Sequence, residues 1–166
     1  MISIKEIQII YDYYYWANHK ILSQTALVTK EQFIAPASFP YGGLRGTLVH
    51  LVEAENGWLS RLKGLGEGAE FDPQDFPTFA HLEQRMTAEE GAMRLYLSGL
   101  SDSDLQGHVR YALQDGSRDR ILWRCLYHLA NHGTQHRAEA AALLTEYGNS
   151  PGDIDFNVFL DETGRQ

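Results

Sequence analysis

Two histidines one helical turn apart, His132 and His136, stand where the surrounding sequence asks for apolar residues. The run Leu122, Cys125, Leu129, His132, His136, Ala140, Leu143, Tyr147 advances by three or four residues, as the core-facing stripe of a long helix must. Both imidazoles are thus aimed inward. A buried imidazole needs hydrogen-bond partners or a metal, and two at i and i+4 can turn their nitrogens onto a single ion. The plainer alternative is a pair of hydrogen-bonded core histidines. His128 extends the row, but between positions 128 and 136 a helix rises about 12 Å and turns about 80°, beyond one coordination sphere. His128 lies roughly 100° from Leu129, whereas His132 and His136 lie within about 60° of it. The expected ligands are therefore His132 and His136, with His128 at the rim.

Two ligands hold a divalent ion poorly, so a site must recruit from another element. His50 flanks a second periodic stripe, Leu44, Leu48, Leu51, Glu55, Trp58, Leu62, and can reach a neighbouring helix. Glu55 is the anomaly of that stripe. A carboxylate there is costly unless it is paired, protonated or close to a cation, and a metal or ligating imidazole would meet the need. The alternative is a rotated helix that lets Glu55 reach solvent. Glu53 reads as a solvated charge. His19, His81 and His108 have no histidine four residues away and are poor ligand candidates. For proton transfer Glu55 and His128 are the two weak catalytic candidates. Gly133 follows His132, so the zincin motif H-E-x-x-H is absent, and no Ser-His-Asp or Cys-His pattern is readable. The single cysteine, Cys125, falls in the stripe as a small core residue.

The elements that must position these groups follow from punctuation and period. Ser3 and Glu6 form a capping box that opens a first helix to about Leu27. Phe33 to Gly43, with two prolines and paired glycines, reads as a loop before a second helix from about Leu44 to Lys63. A third helix is expected from about Thr78 to Leu100. Residues 107 to 113 alternate weakly and meet Asp115-Gly116, a hairpin-turn signal. A fourth helix is expected from about Arg118 to Tyr147, stopped by Gly148, with one last turn in the tail. Gly133 inside it is costly and implies a close helix approach or ligand access. Four such helices predict an all-α chain, an up-and-down four-helix bundle with a short β-hairpin before the last helix.

With 166 residues and 43% hydrophobic residues the chain suits one domain, residues 1–166, with a sizeable core. A formal net charge of −8 disfavours nucleic acid or an anionic membrane as a partner. No apolar run approaches membrane-spanning length and the start does not read as a signal peptide, so a cytoplasmic protein is expected. Tyr11, Tyr13, Tyr14, Tyr15 and Trp16 circle more than half of the first helix. One face suffices for the core, so the surplus predicts a homodimer contact through helix 1 and Trp58, unless it covers the loop or tail of the same chain.

Tyr15-Trp16-Ala17-Asn18, His50 followed by Glu55 and Trp58-Leu59-Ser60-Arg61-Leu62, His128-x-x-Asn131-His132-x-x-x-His136-Arg137, and Asp155-Phe156 occur in that order along nearly the whole chain. Together they resemble the DinB and YfiT-like family of metalloenzymes. That resemblance implies a four-helix bundle, often a homodimer, with one divalent ion, commonly nickel or zinc, on a triad that maps to His50, His132 and His136. Glu139 departs from the glutamine common in relatives. Proteins of this kind include thiol-dependent transferases, isomerases and hydrolases, which implies a metal-dependent enzyme acting on a small molecule, with a low-molecular-weight thiol as partner. A non-catalytic metal-binding dimer serving stress response or sequestration is the rival, and a fourth protein ligand closing the site would favour it.

Overall fold

The capping box at Ser3 forms as the sequence predicts. Its hydroxyl accepts from the Glu6 backbone N–H at 3.3 Å, and the Glu6 carboxylate accepts from the Ser3 N–H at 2.6 Å. In the computed structural model, which describes residues 2–113 and 115–165, this cap starts α1, Ile4–Thr25. The chain is mostly helical. It continues through α2, Lys30–Ile34, α3, Leu44–Leu62, and α4, Phe79–Ser98, to an antiparallel pair, β1, His108–Leu113, and β2, Gly116–Ile121. It ends in α5, Leu122–Glu146, and α6, Phe156–Thr163.

The principal packing partners are α1 with α5, α5 with α3, α3 with α4, and α4 with α1. The four long helices therefore follow one another around a ring in the order α1, α5, α3, α4. Each gives the stripe its period demands. Ile7, Tyr11, Tyr14 and Ile21 come from α1, Leu44, Leu48, Leu51 and Val52 from α3, and Leu82, Met86 and Met93 from α4. From α5 come Leu122, Cys125, Leu129, Ala140 and Leu143, so the stripe read around the paired histidines is the buried one. No helix among the described residues is long and apolar enough to cross a membrane.

Three local expectations are corrected. The segment before α3 is not all loop: Thr29 and Gln32 make a second capping box and start the short α2, which takes Phe33 into the core. The last long helix begins at Leu122 rather than Arg118. Gly116, at φ +130°, supplies the backbone the turn needs, and Arg118, Asp119, Arg120 and Ile121 then pair opposite Tyr111, Arg110, Val109 and His108. The Leu122 N–H donates to Gly107 O at 2.8 Å and closes the hairpin onto α5. The tail holds two turns of helix rather than one, capped by Asp155 and ended by Gly164 in the left-handed conformation.

That tail uses the aromatic surplus of α1. Tyr13 and Trp16 lie against Phe159 of α6 with ring centroids 5.8 and 5.7 Å away, and Tyr13 also meets Phe156 edge-on. The Tyr13 hydroxyl donates to Ile154 O at 3.0 Å, and the Trp16 indole N–H donates to Glu162 at 3.1 Å. Tyr13 and Trp16 thus pack on the tail of the same chain, while Ile9 and Phe156 remain exposed.

Gly133 is a close-approach glycine. A Cβ there would come within 2.2 Å of Tyr14 Cε2 and 2.9 Å of Arg137 Nη1. We expect Gly133→Ala to destabilise the fold by about 2 kcal/mol despite the better helix propensity of alanine, because the ring it strikes is buried. Urea unfolding would measure this; a variant as stable as the parent would mean that Tyr14 yields freely.

Candidate metal centre

His50 projects from the middle of α3 and His132 and His136 from the middle of α5, which pack directly on one another. Their ring nitrogens converge. His132 Nε2 lies 3.2 Å from His50 Nε2 and 3.2 Å from His136 Nε2, and one ligand atom from each of the three lies within 4.8 Å of the others. Four-coordinate nitrogens on a zinc-sized ion sit roughly 3.3 Å apart, by the tetrahedral angle and bonds of about 2.0–2.1 Å.

Proton counting supports the fit. His136 Nδ1 is 2.8 Å from a Glu139 carboxylate oxygen, which assigns its proton to Nδ1 and leaves the Nε2 lone pair facing the cluster. Glu53 stands 3.7 Å from His50 Nδ1 and favours the same tautomer there. His132 Nδ1 is buried without a hydrogen-bond partner among the described residues. A single Nε2 proton on His132 can serve only one of its two neighbours. One cation would accept all three lone pairs. Desolvation, then the like-charged neighbours His136 and His50, depress His132 to a pKa of about 4, and burial likewise lowers His50, so both are neutral bases at pH 7.

Three contributors were not assigned from the sequence. Tyr41 lies in the segment taken as loop, yet its ring stacks on His50 at 3.5 Å and 9° and meets His136 edge-on at 5.2 Å. Gly46 makes this possible, since a Cβ there would fall 1.9 Å from Tyr41 O. Glu53 is not a free solvated charge; it faces His50 and accepts from the Phe71 N–H at 3.0 Å. Glu139 holds His136. The signal that could have found both acids is their spacing, each three residues after a histidine of the triad.

The remaining histidines stay apart. His19 contacts Glu90, His81 contacts Thr78, and His108 contacts Asp119 on the exposed hairpin. His128 is exposed at the rim, its ring 6.0 Å from His132 and 5.1 Å from Trp58. Glu55 does not reach solvent: it is 2% exposed, accepting hydrogen bonds from the Tyr15 hydroxyl and, at 3.5 Å, the Tyr14 hydroxyl. It belongs to a polar network rather than to the histidine group. In that network Arg137, 1% exposed, lies 4.6 Å over the Tyr14 ring and donates to Asn18 Oδ1 at 3.2 Å and Thr134 Oγ1 at 2.9 Å.

The model of the DinB family matches residues 4–166. The chain belongs to the DinB family. Protein DinB of Bacillus subtilis (strain 168) is 22% identical over 170 residues, covering 91% of each chain. Among the described residues of this DinB-family chain, His50, His132 and His136 form a cluster that could hold a metal ion.

Burial pushes the Glu55 carboxyl up to about 8 from 4.5. The folded state therefore holds this proton more tightly than the unfolded one. Its contribution is full below the unfolded value and is lost as pH rises towards the folded value, with a slope of about 1.4 kcal/mol per pH unit between. Glu55→Gln should flatten stability between about pH 5 and about pH 8, followed by urea unfolding of both proteins. Identical pH profiles for parent and variant would refute the protonated carboxyl.

Proposed function

We propose that His50, His132 and His136 bind one divalent ion, nickel or zinc, and that the protein is a metal-dependent enzyme acting on a small molecule, of the thiol-dependent transferase or hydrolase type. The carrying observation is the convergence of three Nε2 atoms from two packed helices. Membership of the DinB family supports it. In this reading the four long helices are a bundle, residues 1–166 act as one domain, and the working form is a cytoplasmic homodimer whose partner molecule is a low-molecular-weight thiol.

Three neutral imidazoles leave the full charge of an ion in place, and such an ion lowers the pKa of bound water or thiol and polarises a carbonyl. Among the described residues the group contains no carboxylate or thiolate ligand, which favours an open coordination position over a closed structural site. The chain's own groups do the positioning. Glu139 and Glu53 fix the rings of His136 and His50 from behind, Tyr41 shields one side, and His128 stands at the solvent edge where it can exchange a proton with bulk water.

Elemental analysis should find one ion per purified chain and none in His132→Ala. Full occupancy in His50→Ala combined with loss in His128→Ala would overturn the ligand set. Because burial lowers His50 and holds His132 near 4, occupancy should persist below the ordinary imidazole value of about 6.5 and fall as pH approaches about 4, with a midpoint that moves with free metal. Cobalt loading separates the enzyme from its rival: a visible spectrum that changes on thiol addition marks an open position, and one indifferent to thiol and to water exchange marks a storage site. Light scattering reads the dimer.

A further inference from the structure

Beside the triad lies a second cavity of about 360 Å³, under the hairpin, lined by Trp58, Tyr111, Arg120, Arg124, Cys125 and His128. It meets the cleft of about 320 Å³ over His50 and His132 at a shared wall, because Trp58 and His128 line both. Two rings at one end, Trp58 and Tyr111, are 5.4 Å apart and nearly perpendicular. Their flat faces suit a planar body.

The charge of this cavity is out of character for the chain. The protein carries −8, yet among the described residues no carboxylate lines the cavity and two arginines do. A third, Arg61, lies behind the ring pair, 5.5 Å from Trp58 and 5.8 Å from Tyr111, with Nε buried and without a hydrogen-bond partner. Among the described residues none of Arg61, Arg120 and Arg124 has a carboxylate oxygen within 4.0 Å. Among the described residues Arg120 donates only to the Asp119 carbonyl. The hairpin shows how local this is. On its outer face Asp119 pairs with Arg110 and His108, and at its end Asp115 pairs with Arg118. The inner residues Tyr111 and Arg120 face the cavity without such neutralisation.

We propose that this cavity binds a small planar carboxylate, an aromatic or conjugated organic acid, as the substrate of the adjacent centre. Arg120 and Arg124 receive the carboxylate, whose two oxygens match the guanidinium fork. Trp58 and Tyr111 hold the ring. The volume is near the small end for ligand pockets, which suits a single ring with its carboxylate. His128 and Trp58 then turn the far end of the acid towards His132, a step that rests on the metal-dependent function proposed above.

Benzoate is the probe, with benzamide as its neutral isostere, in calorimetric titrations of the full chain. Benzoate should bind and benzamide should bind roughly tenfold more weakly, the loss expected when a charge-assisted pair is missing. Arg120→Gln/Arg124→Gln, both at exposed positions, should lower benzoate affinity to that of benzamide, and Trp58→Ala should weaken both probes. Metal-free protein and His132→Ala should still bind benzoate, so loss of metal binding would defeat the metal centre without touching this cavity. Cobalt at the centre should speed relaxation of the benzoate ring protons in the parent and not in His132→Ala. Equal affinities for benzoate and benzamide, benzoate binding untouched in the double arginine variant, or no binding of benzoate would each overturn the proposal; binding without the cobalt effect would overturn the substrate role.

Discussion

The structure turns on a cation buried between helices. Arg137 is almost inaccessible, and burial lowers its pKa, yet no carboxylate within ion-pair distance compensates it among the described residues. Its charge rests on the faces and dipoles of neighbours: the Tyr14 ring, the Asn18 amide oxygen and the Thr134 hydroxyl. Tyr14 and Tyr15 then carry the hydrogen bonding on to Glu55 of α3. Three helices, α1, α3 and α5, are thereby tied by polar groups whose geometry is directional, unlike the apolar packing around them. His136 is the residue before this cation. Any slip of α5 against α1 that moved the histidines would also break the arginine's contacts.

A network of this kind sets register more than it adds stability. Desolvation costs weigh on Glu55, Tyr14, Tyr15 and Arg137 alike, as the direction of each pKa shift records. An apolar core of the same volume would tolerate helix rotation, and an imidazole cluster does not. The Nε2 atoms touch at 3.2 Å only because α3 and α5 stand at one rotation and one height.

Much of this was legible beforehand, for physical reasons. The stripe on α5 has the helical period over many residues, so the inward direction of His136 followed from geometry alone, and Glu55 announced itself as a charge in an apolar row. Boundaries were harder. Arg118, Asp119 and Arg120 carry polar side chains compatible with a first helical turn, and only the partner strand, satisfying their backbone groups, decides for β. Tyr41 could not be placed because its contact with His50 depends on a loop path set by close backbone approach at Gly46. The use of Tyr13 and Trp16 needed α6, whose cap at Asp155 and stop at Gly164 are readable but short. Period is a property of one element, whereas pairing between elements distant in sequence is not written in either alone.

The two helices that carry the histidine cluster are neighbours in space, but His50 and His132 are 82 residues apart in the chain. On the ribosome this separation becomes a clock. At synthesis rates of roughly 5–20 residues per second, His50 waits several seconds before its partners exist. A lone imidazole competes weakly for cellular ions, so the nascent chain passes most of its synthesis without a metal address. An ion that needs all three imidazoles could be held only after α5 has been made and has docked on α3, so the ions available at that moment, not earlier in translation, would compete for the site.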